Sequence, residues 1–237
     1  MPNCARTLVA VATYNELENL PTLVEAIHAA LPEADVLVVD DNSPDGTGQW
    51  ADTCAAANER VHVIHRAGKL GLGSATIDAF RWALDRGYER IATMDADWSH
   101  PPEELPRLLA LADTVDVAVG SRYTPGGKVE GWPLTRRVVS RVMNRLTRWL
   151  LGVPVADSSG AFRVYRASAL EKIDLSKISS SGYAYLEEIV WRLAAAGVTF
   201  AEHPITFRDR TAGQSKANLA EVRGKLAMLW RCTWQRP

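Results

Sequence analysis

Short apolar runs alternate with helix-period stretches along the first half of the chain. The runs at 7–12, 36–39, 61–64, 91–94 and 115–120 have the length and apolar content of buried strands. After the first run, Leu20, Leu23, Val24 and Ile27 recur on one helical face, with Asn19 as cap and Pro21 at the first helical position. Further helices are predicted over 48–58 and 74–86, and another starts at Glu103-Glu104 behind the Pro101-Pro102 stop. The order β-α-β-α-β-α-β with short loops predicts an α/β fold: a doubly wound, mostly parallel central sheet flanked by helices.

The second half is less regular. A helix is predicted over 134–151, a turn leading into a strand over 157–165, and a helix from 182 to about 196. The strand pattern at 198–207 is interrupted by Pro204, which places it at a sheet edge. A polar, basic loop follows at 208–216, and a helix over 219–234 closes the chain. Gly and Pro at 124–127 and 131–133 mark a loop long enough to move.

Composition narrows the class. With 237 residues, 47% hydrophobic and 23% charged, the chain reads as one globular domain, 1–237. No run of 18 apolar residues exists, and the polar start before residue 7 does not read as a signal peptide, so a cytoplasmic protein without a membrane span is expected. Cys4, Cys54 and Cys232 are odd in number and lack metal-ligand spacing, which suits reduced thiols. The net charge of −1 hides a division: residues 1–116 carry 8 basic and 19 acidic side chains, residues 117–237 carry 19 and 9. The second half is therefore expected to meet something anionic. Nucleic acid is not expected as a partner, because the aromatics form no stacking platform and the acidic half would repel it.

The candidate chemistry gathers at strand ends. Asp95 and Asp97 follow the run at 91–94, where an open α/β sheet binds ligands. Residues i and i+2 of a strand-like backbone project to one side, so the two carboxylates can share a hard divalent cation with nucleotide phosphates. The alternative is a helix cap plus a solvated loop acid. Gly68-Lys69-Leu70-Gly71-Leu72-Gly73 fits neither a dinucleotide fingerprint nor a P-loop. It is either a turn that lets a helix pack closely or a loop that brings Lys69 to a phosphate. Arg122 at the end of 115–120 is a candidate diphosphate contact, or a surface salt bridge. In the helix at 134–151, Arg137, Arg141, Arg145 and Arg148 recur beside Arg136, with Val138, Val142, Trp149 and other apolar residues between them. Such a helix can lie in a membrane interface with arginines on lipid phosphates, or pack on a sheet with a solvated basic face. Trp230 and Trp234 near Arg231 repeat that choice.

Thr13-Tyr14-Asn15-Glu16, 39–47 (VDDNSPDGT), Gly71-Leu72-Gly73, Met94-Asp95-Ala96-Asp97, Gly120-Ser121-Arg122-Tyr123, 158–163 (SSGAFR) and Gly213-Gln214-Ser215-Lys216 together resemble a family-2 glycosyltransferase of GT-A fold. Within that family they are similar to the polyprenol-phosphate mannosyltransferases, the dolichol-phosphate mannose synthases and their bacterial relatives. The resemblance implies that residues 1–120 form a nucleotide-sugar and metal half and 121–237 an acceptor and membrane-facing half. It implies that Ala12, Tyr14, Glu16, Asp40 and Asp41 hold the nucleotide. Asp95, Ala96 and Asp97 would meet the donor, with the two carboxylates around Mg²⁺ or Mn²⁺. Arg122, Arg210 and Lys216 would contact phosphates, and Arg136, Arg137 and Ser140 the acceptor phosphate. Asp95, Asp97 and Arg122 would carry catalysis.

The implied reaction moves mannose, with inversion, from GDP-mannose to a polyprenyl phosphate on the cytoplasmic face of an anionic membrane, with or without a membrane-spanning partner subunit. Alternatives are the same transfer from UDP-glucose or UDP-N-acetylglucosamine, transfer to a saccharide with Glu187 or Glu188 as base, and a non-catalytic nucleotide-sugar-binding subunit. The sequence departs from the family at Ala12, where proline is common, at Trp98, where a smaller residue is common, and at Ser99, where some relatives carry a metal-binding glutamine.

Overall fold

The computed structural model describes residues 6–180, 182–209 and 219–234, with side chains in the last helix from 224 onward. Arg210, Lys216 and the loop around them, and also Cys4, lie outside the described residues. Cys54 and Cys232 are free thiols.

In chain order the first half is β1 (Thr7–Thr13), α1 (Leu20–Ala30), β2 (Asp35–Asp40), α2 (Thr47–Ala57), β3 (Val61–His65), α3 (Leu72–Asp85), β4 (Arg90–Asp95), α4 (Leu105–Ala112) and β5 (Val117–Ser121). The second half adds β6 (Lys128–Glu130), α5 (Leu134–Leu151), β7 (Arg163–Arg166), α6 (Ala167–Leu170), α7 (Tyr185–Ala195), β8 (Phe200–Pro204), β9 (Thr206–Arg208) and α8 (Leu219–Trp234). The main sheet has seven strands in the order β3-β2-β1-β4-β7-β5-β8. All its pairings are parallel except those of β7, which runs antiparallel to both β4 and β5.

The alternation of strand side chains sets two apolar layers. Leu8 and Ala10 of β1 face a layer with α3, α7 and α8, while Val9 and Val11 face one with α1 and α4. Burial on both faces explains why these runs carry almost no polar residue before their last position. The polar residues appear at the carboxyl ends, and the register lines those ends up: Thr13 lies opposite Asp40, and Ala12 opposite Asp95.

The single strand predicted over 198–207 is two strands of different sheets. Pro204 has no N–H to continue the ladder. The chain turns at Ile205, which is buried, donates its N–H to the Ser121 carbonyl (3.0 Å) and accepts from Lys128 N–H (2.9 Å). β9 then pairs with β6, a three-residue strand inside the stretch read as loop. β8 does lie at the edge of the main sheet, as Pro204 predicts. Gly127 allows the chain to turn into β6: a Cβ there would lie 2.6 Å from the Ser121 carbonyl oxygen.

Candidate active site

The carboxyl ends of β1, β2 and β4 form one acidic edge. Past each of them a non-glycine residue takes a left-handed backbone: Asn15 (φ 61°), Asn42 (φ 59°) and Trp98 (φ 62°). Asp40 is buried and accepts from Thr13 Oγ1 (2.9 Å) and from Ser43 N–H (2.9 Å) and Oγ. Asp41 pairs with Arg66 Nη1 and accepts from Gly71 N–H (2.9 Å), while Arg66 Nη2 donates to Ser74 Oγ (2.6 Å). These acids brace the loops after β2 and before α3. Glu16 accepts from Asn19 Nδ2 (2.9 Å), and its N–H donates to Thr47 Oγ1 (3.0 Å). The Tyr14 ring lies under Lys69, whose Nζ is 3.7 Å from its centroid. The close-packing reading of the glycine loop holds at Gly73, which lets α3 close on Tyr185, where a Cβ would meet the ring at 3.0 Å.

Asp95 ends β4, and Asp97 follows it in a tight turn. Asp97 Oδ1 accepts both Ser99 N–H (3.1 Å) and Ser99 Oγ–H (2.6 Å). Ser99 thus aims the carboxylate. Ala96 is buried, and Trp98 packs on the apolar layer shared with α1 and α4. His100 is buried, stacked on Phe162 at 5.1 Å between centroids, and its Nδ1 accepts Asp95 N–H (3.0 Å). Burial, partly opposed by the charge of Asp97, drops its pKa to about 4, so it is neutral near pH 7 and carries its proton on Nε2. Two hard oxygen donors at one strand end fit Mg²⁺ or Mn²⁺, which take carboxylates together with substrate phosphates and water. Among the described residues no group of three or more His, Cys, Asp and Glu is placed to hold a metal.

Arg122, at the end of β5, is not a surface ion pair. It is buried and gripped by Asp157: Nε and Nη2 donate to its two carboxylate oxygens at 2.7 Å each, and the Arg122 N–H adds a third bond at 3.0 Å. Nη2 also donates to Ser159 Oγ (2.8 Å). Burial alone would raise the Asp157 carboxyl; the Arg122 charge and its hydrogen bonds outweigh that and hold it below the usual carboxylate range. Beside Arg122 opens a cleft of about 320 Å³ whose lining includes Tyr123, Lys128, Arg137 and Arg141. Of the predicted acceptor residues, Arg137 lines it. Ser140 stands behind it, accepting from Tyr123 Oη (2.6 Å). Arg136 turns away, stacked on Trp132 (3.9 Å) and bonded to Asp209 (3.3 Å).

The chain matches the glycosyl transferase family 2 model over residues 8–174. It belongs to that family. The polyprenol monophosphomannose synthase of Mycolicibacterium smegmatis is 50% identical to this transferase over 220 residues, covering 92% of this chain and 83% of that protein. The undecaprenyl-phosphate mannosyltransferase of Micrococcus luteus is 49% identical over 211 residues, 89% of this chain and 87% of that one. The fold is the GT-A fold. Glucosyl-3-phosphoglycerate synthase of Mycobacterium tuberculosis, solved with Mn²⁺, UDP-glucose and phosphoglyceric acid, superposes with a TM-score of 0.67 at 16% identity, over 96% of this chain and 80% of that one.

Sequence reasoning assigned no role in the transferase to Asp157, Asn144 or Lys128. Asp157 had a signal: it is the first acid after a stretch without any from Gly131 to Ala156. Glu188, weighed as a base, is fully buried and accepts from Ser180 N–H (2.9 Å), Arg192 (2.8 Å) and Arg231 (2.7 Å). Glu187 is equally buried and paired with Lys225; burial pushes its carboxyl up against the pull of that lysine. Both tie α7 to α8.

Proposed function

We propose that this glycosyltransferase moves mannose from GDP-mannose to a polyprenyl monophosphate at the cytoplasmic face of a membrane, with Mg²⁺ or Mn²⁺ held by Asp95 and Asp97. The observation that carries the reading is the cleft lined by Arg122, Lys128, Arg137 and Arg141, with Glu130 as the acid among its lining residues, beside a helix with an exposed apolar side. A lipid phosphate needs both. The names of the two relatives at about half identity support the same acceptor class and sugar.

In this mechanism an acceptor phosphate oxygen attacks the sugar's anomeric carbon while the bond to the GDP diphosphate breaks. The nucleophile is already ionised near neutral pH, so no protein base takes a proton, which agrees with Glu187 and Glu188 being engaged elsewhere. Tyr14, Glu16, Asp40 and Asp41 with their braced loops hold the base and ribose. Asp95, Ala96 and Asp97 face the donor. Arg122, kept rigid by Asp157, offers a fixed cation to the phosphates, joined by Arg210 and Lys216. When bound, the divalent ion neutralises charge building on the leaving diphosphate. Inversion follows from the family resemblance.

Radiolabelled transfer to a short polyprenyl phosphate tests the reading, with GDP-mannose, UDP-glucose and UDP-N-acetylglucosamine run in parallel. Organic-soluble label is expected from GDP-mannose only, and EDTA should abolish it. Label from a UDP sugar instead would overturn the donor assignment, and label unaffected by EDTA would overturn the metal role.

The lipid surface makes a separate prediction. Among the described residues no helix is long and apolar enough to cross a membrane. α5 and α8 nevertheless expose Leu134, Val138, Val142, Leu226, Trp149 (80% exposed) and Trp230 (69%). We read this face as lying in the interface beside anionic headgroups, with a membrane-spanning partner subunit as a further anchor. The double variant Trp149→Ala, Trp230→Ala should bind anionic vesicles at least about a hundredfold more weakly, since each lost aromatic removes roughly 1.5–3 kcal/mol of burial and about 1.4 kcal/mol is tenfold. Its melting temperature should not change. Equal flotation of the variant and the parent protein would sink this assignment.

A further inference from the structure

α5 carries the proposed lipid face, yet only Asn144 and Thr147 among its residues are buried. Asn144 uses every hydrogen-bonding position of its amide. Nδ2 donates to the Ser140 carbonyl (2.9 Å) and to Ser159 Oγ (2.9 Å). Oδ1 accepts from Ser158 N–H (2.9 Å) and from Ser158 Oγ (3.0 Å). The Ser158 N–H and the Ser140 carbonyl fix which end is which, because reversing the amide would set donor against donor and acceptor against acceptor.

The next link reaches the cleft. Ser159 Oγ, held by Asn144, also accepts from Arg122 Nη2 (2.8 Å). The loop carrying Asp157, Ser158 and Ser159 is held from three sides. From β8, Glu202 accepts the N–H groups of Ala156 (2.8 Å) and Asp157 (3.0 Å). From β7, Arg163 Nη2 donates to the Ser158 carbonyl (2.7 Å). Asn144 is the tie from α5. Two of these anchors sit on the sheet, whereas the third sits on the helix that faces the lipid.

We propose that Asn144 is a positioning residue that sets the Arg122 guanidinium through Ser159, so that the acceptor cleft takes its shape from where α5 docks. This rests on reading the cleft as the acceptor-phosphate site. The donor edge at Asp95 and Asp97 shares none of these hydrogen bonds, so the effect should fall mainly on the acceptor.

The test uses the full-length enzyme, a short polyprenyl phosphate and separate measurement of GDP-mannose affinity. Asn144→Ala and Ser159→Ala should each raise the acceptor KM about tenfold, the scale of one lost hydrogen bond to a charged group, while the donor Kd stays within about twofold. The double variant should be no worse than Asn144→Ala, because both remove one relay. Parallel loss of donor and acceptor binding, or additive effects, would mean a merely structural asparagine and overturn the proposal. If Asn144→Ala does not fold, Ser159→Ala carries the same test, since it removes only the shared hydroxyl. Arg137→Gln separates the two readings. If it raises acceptor KM and neither Asn144→Ala nor Ser159→Ala does, the coupling fails and the cleft stands. If none of the three does, the cleft reading fails and the coupling falls with it.

Discussion

Asp97→Asn should lower mannosyl transfer by about 10³-fold while leaving the protein folded. Asparagine keeps an Oδ1 acceptor, so the contacts from Ser99 N–H (3.1 Å) and Ser99 Oγ (2.6 Å) survive the change. What disappears is one negative charge at the end of β4. A divalent cation held by Asp97 would contribute several kcal/mol to the transition state by neutralising the leaving diphosphate, and about 4 kcal/mol is a factor of roughly 10³. Steady-state transfer rates with saturating metal, read beside thermal melts, decide the matter. A variant within tenfold of the parent rate would remove Asp97 from the metal site. A variant that melts well below the parent would mean that its charge serves the fold.

Asp157→Asn should act on stability first. Arg122 and Asp157 are both buried and joined by two bonds of 2.7 Å. Neutralising the acid leaves a buried guanidinium without its counter-charge, a change that costs about 3–5 kcal/mol. Urea unfolding at pH 7 should register that loss, and transfer should fall at least about tenfold as Arg122 shifts. The pH dependence provides a second reading. The Asp157 carboxyl is held below its ordinary range in the folded state. The parent protein therefore has the full contribution of the pair above the unfolded value near 4 and loses it as pH falls below that. The asparagine variant has no such acid limb, so the stability gap should narrow below about pH 4. A gap that stays constant into that range would mean the pair is not what the substitution removed.

Local pattern carried much of the fold. α5 begins and ends where its amphipathic pattern does, at Leu134 and Leu151. The strands of the first half are legible because burial on both faces leaves mostly apolar residues until a carboxyl end. β6 was not legible: three residues with one half-buried side chain carry no periodic signal, and their partner β9 is far along the chain. The same limit applies at the site. Asp95 and Asp97 are neighbours in sequence, and a strand end is enough to suggest their use. The role of Asp157 depends on Arg122, 35 residues away, and that of Asn144 on a loop that no helical pattern can point to. The family resemblance groups Arg136 with Arg137 at the acceptor phosphate, and successive residues of a helix point in different directions. One lines the cleft and the other stacks on Trp132.

The antiparallel strand β7 has a consequence for how such enzymes can be recombined. It belongs to the later half of the chain but lies between β4 and β5, in the middle of the sheet. A crossover at residue 120 would therefore exchange a central strand together with the proposed acceptor cleft. The chimera would need its new β7 to fit two resident neighbours before it could bind any lipid. Acceptor preference in this architecture is not a module that can be cut out whole. Grafting it means working from the loop after β5 through α5, with the sheet left in place.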